Sequence, residues 1–129
     1  MNRLNTNLRY LPTLLSILLI LWFTIAPDPV PEDTPELWPG ADKCVHLLIM
    51  GFVTAVWLTD RFRRRTFSWW PSVLITFAVI AMAALIEVVQ GAMGLGRSCD
   101  INDWIAGSVG AVAAACAWLL GRFTYQRQS

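Results

Sequence analysis

Four long apolar stretches, at 8–26, 41–59, 69–90 and 101–120, decide what this chain can fold into. Each approaches the roughly 20 residues that a helix needs to cross a hydrocarbon core about 30 Å thick. Lipid offers no partner to a backbone N–H or C=O, so helix is the state expected of all four, and β-branched Val and Ile do not count against it. Pro27, Pro29, Pro31, Pro35 and Pro39 forbid helix across the first connection, and the Arg-rich run around Arg63 cannot stay in lipid. Composition agrees: at 56% hydrophobic and 15% charged, with seven tryptophans, the chain has too much apolar surface for an ordinary water-soluble core to hide. The expected fold class is all-α, an integral membrane four-helix bundle forming a single domain over 1–129, with an acidic, Pro-rich loop at 27–40.

The first stretch follows Arg3 and Arg9, as a secretory signal would. Its exit, Thr24-Ile25-Ala26-Pro27-Asp28, lacks the small-x-small pattern of a cleavage site, and its apolar run is longer than a usual signal core. An uncleaved signal anchor is therefore expected.

Charge then orients the bundle, because Lys and Arg are retained on the cytoplasmic side during insertion. Arg3, Arg9, Arg61, Arg63, Arg64, Arg65, Arg122 and Arg127 fall at the amino terminus, the middle connection and the carboxy terminus. Four crossings bring these to one side, so both termini are expected in the cytoplasm. Asp28, Glu32, Asp33, Glu36, Asp42, Glu87, Asp100 and Asp103 fall toward the other side, where Lys43 and Arg97 are the cations. The net charge of +1 hides two opposed surfaces. Trp57, Trp69, Trp70 and Trp118 near the inner helix ends, and Trp22 and Trp104 near the outer ones, suit indole anchoring in the headgroup zone. Of these, Trp104 is the best candidate for a role beyond anchoring.

The same threading gathers the polar residues of the spans. The second helix starts at the outer side with Asp42, Lys43 and His46; the third arrives there with Glu87 and Gln90; the fourth departs from it with Asp100 and Asp103. Residues three or four apart share a helix face, so each helix carries one polar stripe. Arg97 joins from the short connection, whose Gly91, Gly94 and Gly96 suit a bend. Gly107 and Gly110 continue the Asp103 side of the fourth helix and permit a neighbouring helix to come close. The candidate ligand-binding residues are Asp42, Lys43, His46, Glu87, Gln90, Arg97 and Asp103. Asp100 reads better as a helix cap.

Three strings, Asp42-Lys43-x-x-His46, Glu87-x-x-Gln90 and Arg97-x-x-Asp100-x-x-Asp103 followed by Gly110, resemble the VanZ-like family of bacterial membrane proteins. The resemblance covers roughly 41–120. It implies a bacterial cell (inner) membrane protein with several spans and a link to glycopeptide susceptibility, teicoplanin in particular. It supplies no reaction. Many members carry Asn four residues after the last Asp, where this chain has Gly107.

The residues leave several functional classes open. A site for an anionic headgroup or a lipid-linked envelope precursor suits Arg97 and Lys43, with the carboxylates gripping hydroxyls or amines. A membrane hydrolase or transferase would use His46 as general base, Asp42 to orient it, Glu87 as acid and Arg97 against developing negative charge. Ser98 and Cys99 carry no nucleophile signature, which ranks catalysis below binding. A proton-coupled carrier would place its site near the midplane, whereas these groups crowd one surface. A purely structural polar cluster is the remaining alternative. His46, Asp42, Glu87 and Asp103 are acceptable metal ligands, but two cations in the cluster argue against a metal, and no cofactor is called for. Nucleic-acid binding has no support, since the 61–65 basic run is explained as a topology signal. Cys44 and Cys99 fall on the same side and Cys116 near the other, which does not define a disulfide framework.

Overall fold

A computed structural model describes residues 8–25, 39–63, 65–94 and 99–128. A 3-10 turn at Leu8–Tyr10 leads into α1 (Leu11–Ile25), followed by α2 (Ala41–Phe62), α3 (Trp69–Met93) and α4 (Ile101–Gln128). The described residues contain no strand, and the fold is the all-α four-helix bundle expected. Among the described residues, three helices, α2, α3 and α4, are long and apolar enough to cross a membrane. At 15 residues α1 spans about 22 Å, short of a hydrocarbon core, so it contributes a shorter apolar helix to the bundle.

The helices begin and end where the sequence lets them. Pro12 and Pro71 sit in the first turns of α1 and α3, where their missing N–H has no intrahelical partner to lose. Gly94 closes α3 in the left-handed conformation, with φ of 65°, a geometry that costs other residues a Cβ clash.

The largest interface joins α2 to α4; α3 packs on both, and α1 lies against α2 and α3. Gly110 makes the α2–α4 approach possible. A Cβ built there would lie 2.8 Å from the carbonyl carbon of Leu47, backbone that cannot yield as a side chain can. A Cβ at Gly107 would come within 3.1 Å of Met50 Cγ, so the Asn common in relatives would displace Met50 here. Both glycines thus serve the close packing anticipated for them.

Ile20, Met50, Val53, Val79, Ala83, Ile86 and Ala111 form the central core, and Leu58, Phe62 and Ala115 a second one beneath the α2–α3 connection. Leu14, Leu18, Leu48, Phe52, Phe77, Leu85 and Val109 face outward, as an apolar solvent around the bundle requires. Hydroxyls inside the helices are satisfied locally: Thr24, Thr54, Thr76 and Ser108 each donate to the carbonyl one turn back.

The up-and-down threading gives the bundle two unlike ends. Arg61, Arg63, Arg65, Arg122 and Arg127 lie toward the basic end, where Phe62, Phe67, Trp69, Trp118 and Phe123 form a continuous aromatic cluster. Asp42, Glu87, Asp100 and Asp103 gather at the acidic end.

Candidate functional site

The acidic end is built by the first turns of α2, the last turns of α3 and the start of α4. Asp100 caps α4: its Oδ1 accepts the Asn102 backbone N–H at 2.8 Å and its carbonyl accepts the Asp103 N–H at 3.1 Å. The Asn102 backbone N–H and side-chain amide on this carboxyl, with Lys43 beyond them, hold it below the usual carboxylate range. The cap role expected for Asp100 is what the geometry displays. Its own backbone N–H points the other way and donates to Glu87 Oε2 at 3.1 Å, fastening the end of α3 to the start of α4.

Glu87 is 4% exposed. Its second oxygen, Oε1, is buried and has no hydrogen-bond partner among the described residues; the nearest cationic candidate is His46 Nδ1 at 3.6 Å. His46 Nε2 faces Asp103 Oδ2 at 3.8 Å. Asp103 Oδ1 is likewise buried without a hydrogen bond, with Lys43 Nζ 3.6 Å away. One ligand atom from each of His46, Glu87 and Asp103 fits within 4.8 Å of the others. Lys43 spans the rim, 3.4 Å from Asp42 and 3.7 Å from Asp100.

The expected residues therefore separate into groups. His46, Glu87 and Asp103 converge, with Lys43 above them. Asp42 is exposed and paired with Lys43, so the groups facing the His46 ring are Glu87 and Asp103. Gln90 is buried but turned toward α1, where its amide donates to the Phe23 carbonyl at 3.4 Å. Trp104 donates to the Ile80 carbonyl at 3.2 Å and packs on the core, clasping α4 to α3. Arg97 and Ser98, and the Pro-rich segment as far as Trp38, lie outside the described residues. Cys44, Cys99 and Cys116 are free thiols.

A second polar group, at the basic end, went unread in the sequence. Asp60, 3% exposed, accepts both the backbone N–H and the hydroxyl of Thr13 at 3.2 and 2.5 Å, capping the first turn of α1 from another helix. Arg63 lies 3.5 Å from its other oxygen. Trp57 donates to Ser16 at 2.9 Å one turn further in. The available signal was a lone acid among arginines, Asp60 three residues before Arg63. Arg122, read as a topology charge, also closes the end of α2 by donating to the carbonyls of Phe62 and Arg65 while stacking on Phe62 and Trp118.

Among the described residues, three helices of membrane-crossing length and apolarity with a buried ionisable cluster at one end fit a helical membrane protein. The VanZ/LLP1 family profile matches residues 5–122, and the chain belongs to that family. No curated protein and no solved structure matches the chain.

Proposed function

We propose that the chain is a multi-pass protein of a bacterial inner membrane whose acidic end faces away from the cytoplasm and binds the polar headgroup of an envelope lipid or lipid-linked precursor. The orientation is supported by the arginines at the opposite end, which are retained in the cytoplasm during insertion. One observation carries the binding reading: Glu87 is buried with an oxygen lacking a donor among the described residues, whereas the buried Thr24, Thr54 and Asp60 are satisfied within the bundle. A carboxylate held that way is costly unless a ligand completes it. Lys43, 40% exposed at the rim, supplies a point charge for a phosphate or carboxylate of the incoming group. Arg97 of the adjoining connection is assigned to the same task. Occupation of an envelope headgroup by this protein would connect it to the glycopeptide susceptibility, teicoplanin in particular, that the family resemblance implies.

The test is native mass spectrometry of the protein released from its own membrane, comparing wild type with Glu87→Gln and Arg97→Ala. A defined lipid retained by wild type and lost in both variants supports the site. Identical lipid spectra in all three mean that the cluster is structural.

A second reading has its own observation. An imidazole flanked by two carboxylates, at 3.6 and 3.8 Å, is poised to take a proton from a water or a substrate hydroxyl, which makes a headgroup hydrolase or transferase the alternative. Product formation that stops in His46→Ala separates it from simple binding.

A further inference from the structure

We infer that His46, Glu87 and Asp103 form a binding site for a divalent transition-metal cation, of the Mn2+ or Zn2+ type. The three residues come from three different helices, and their donor atoms lie within 4.8 Å of one another. Neighbouring ligands on one such ion, each at about 2.1 Å, stand about 3.0–3.4 Å apart, so the side chains need converge by roughly 1–2 Å. Glu87 Oε1 and Asp103 Oδ1 are the two buried carboxylate oxygens without a hydrogen bond among the described residues. Glu87 is the stronger indication, being nine-tenths buried and pinned through Oε2 to the Asp100 N–H, which leaves Oε1 aimed at His46.

Charge points the same way. In the ionisation state that metal ligation requires, a neutral imidazole and two carboxylates, the trio carries two negative charges, which a dication balances at once. Lys43 does not replace it. Its ammonium sits on the rim shared among Asp42, Asp100 and Asp103, and among the described residues it pairs with Asp103 but not with Glu87. Lys43, one of the two cations that argued against a metal in the sequence, therefore lies on the rim and not between Glu87 and His46. One nitrogen and two carboxylates suit Mn2+ or Zn2+; Ca2+, which prefers six to eight oxygens, is a poorer match.

Three protein ligands leave coordination positions open, facing the rim. An oxygen of a headgroup phosphate would take one of them, a step that rests on the binding reading above; the metal site itself does not.

The experiment uses the full chain purified in detergent and stripped with chelator, then titrated with Mn2+ alone while free ion is followed by electron paramagnetic resonance. Saturable binding of one ion per chain is expected, weakened by more than about 100-fold in Glu87→Gln and in Asp103→Asn. Should a variant fail to fold, the wild-type complex still decides: electron spin echo modulation must report one imidazole nitrogen coupled to the bound Mn2+. Absence of saturable binding, binding unchanged in both folded variants, or a bound ion without nitrogen coupling overturns the site. Lipid retention measured with and without chelator is a separate readout: metal binding without any retained lipid leaves this inference standing and removes the headgroup reading.

Discussion

The two ends of the bundle each bury a carboxylate, and they treat it differently. At the basic end Asp60 takes two donors from Thr13 and lies beside Arg63. At the acidic end Glu87 takes one donor among the described residues and presents its other oxygen to an imidazole across 3.6 Å. A polar group kept for stability is expected to be saturated, because a buried acceptor without a donor costs about 1–3 kcal/mol. Asp60 meets that description and Glu87 does not. Arg122 Nε is also buried without a partner at the basic end, yet the same guanidinium is held through its other nitrogens and by two rings. On the proposed reading, the difference distinguishes a joint from a site.

If that distinction is right, the largest loss of stability belongs to Asp60→Ala. It leaves the Thr13 N–H and hydroxyl unsatisfied at the start of α1 and should cost about 2–3 kcal/mol, measured by reversible unfolding in micelles or bicelles. Ligand retention per folded molecule should not change. Next is Gly110→Ala, which forces a methyl group against the Leu47 backbone and should cost about 1–3 kcal/mol through separation of α2 from α4. Because the crossing carries Asp103 with it, this variant should weaken both stability and retention, which neither end alone does.

Glu87→Gln should behave in the opposite way to Asp60→Ala. The amide oxygen still accepts the Asp100 N–H, so stability stays within about 1 kcal/mol of wild type while lipid or metal retention disappears. A stability loss as large as that of Asp60→Ala would make both ends joints and end the comparison.

The helices were legible because length and apolarity are one-dimensional quantities, and lipid leaves helix as the solution. Convergence of His46, Glu87 and Asp103 was legible too, since antiparallel threading fixes which helix ends meet. Helix rotation was not. Spacing put Gln90 on the Glu87 face, but the partner it reaches is the carbonyl of Phe23 on α1. Asp42 looked like the neighbour of His46 at one turn, yet Glu87 and Asp103 occupy the two sides of the ring. Asp60 escaped because it follows the apolar run directly and reads as flanking charge; its value depends on α1 docking its first turn there, a contact 47 residues away in sequence.

The smallest effect, and the sharpest in sign, is expected at Lys43. Its ammonium lies 3.4–3.7 Å from three carboxylates, but at 40% exposure such pairs are screened and contribute little to stability. Lys43→Gln should therefore unfold like wild type. Its charge nevertheless competes with any cation approaching Asp103, so the variant should bind Mn2+ more tightly, by a factor that shrinks as salt is raised. An anionic headgroup should respond inversely, held less well once the rim has lost its positive charge. Opposite changes for cation and headgroup would place Lys43 between the two ligands. A parallel loss of both, with lowered stability, would mean that the lysine belongs to the joint holding α2 against α4, and that the acidic end resembles the basic end more closely than its unpaired oxygens indicate.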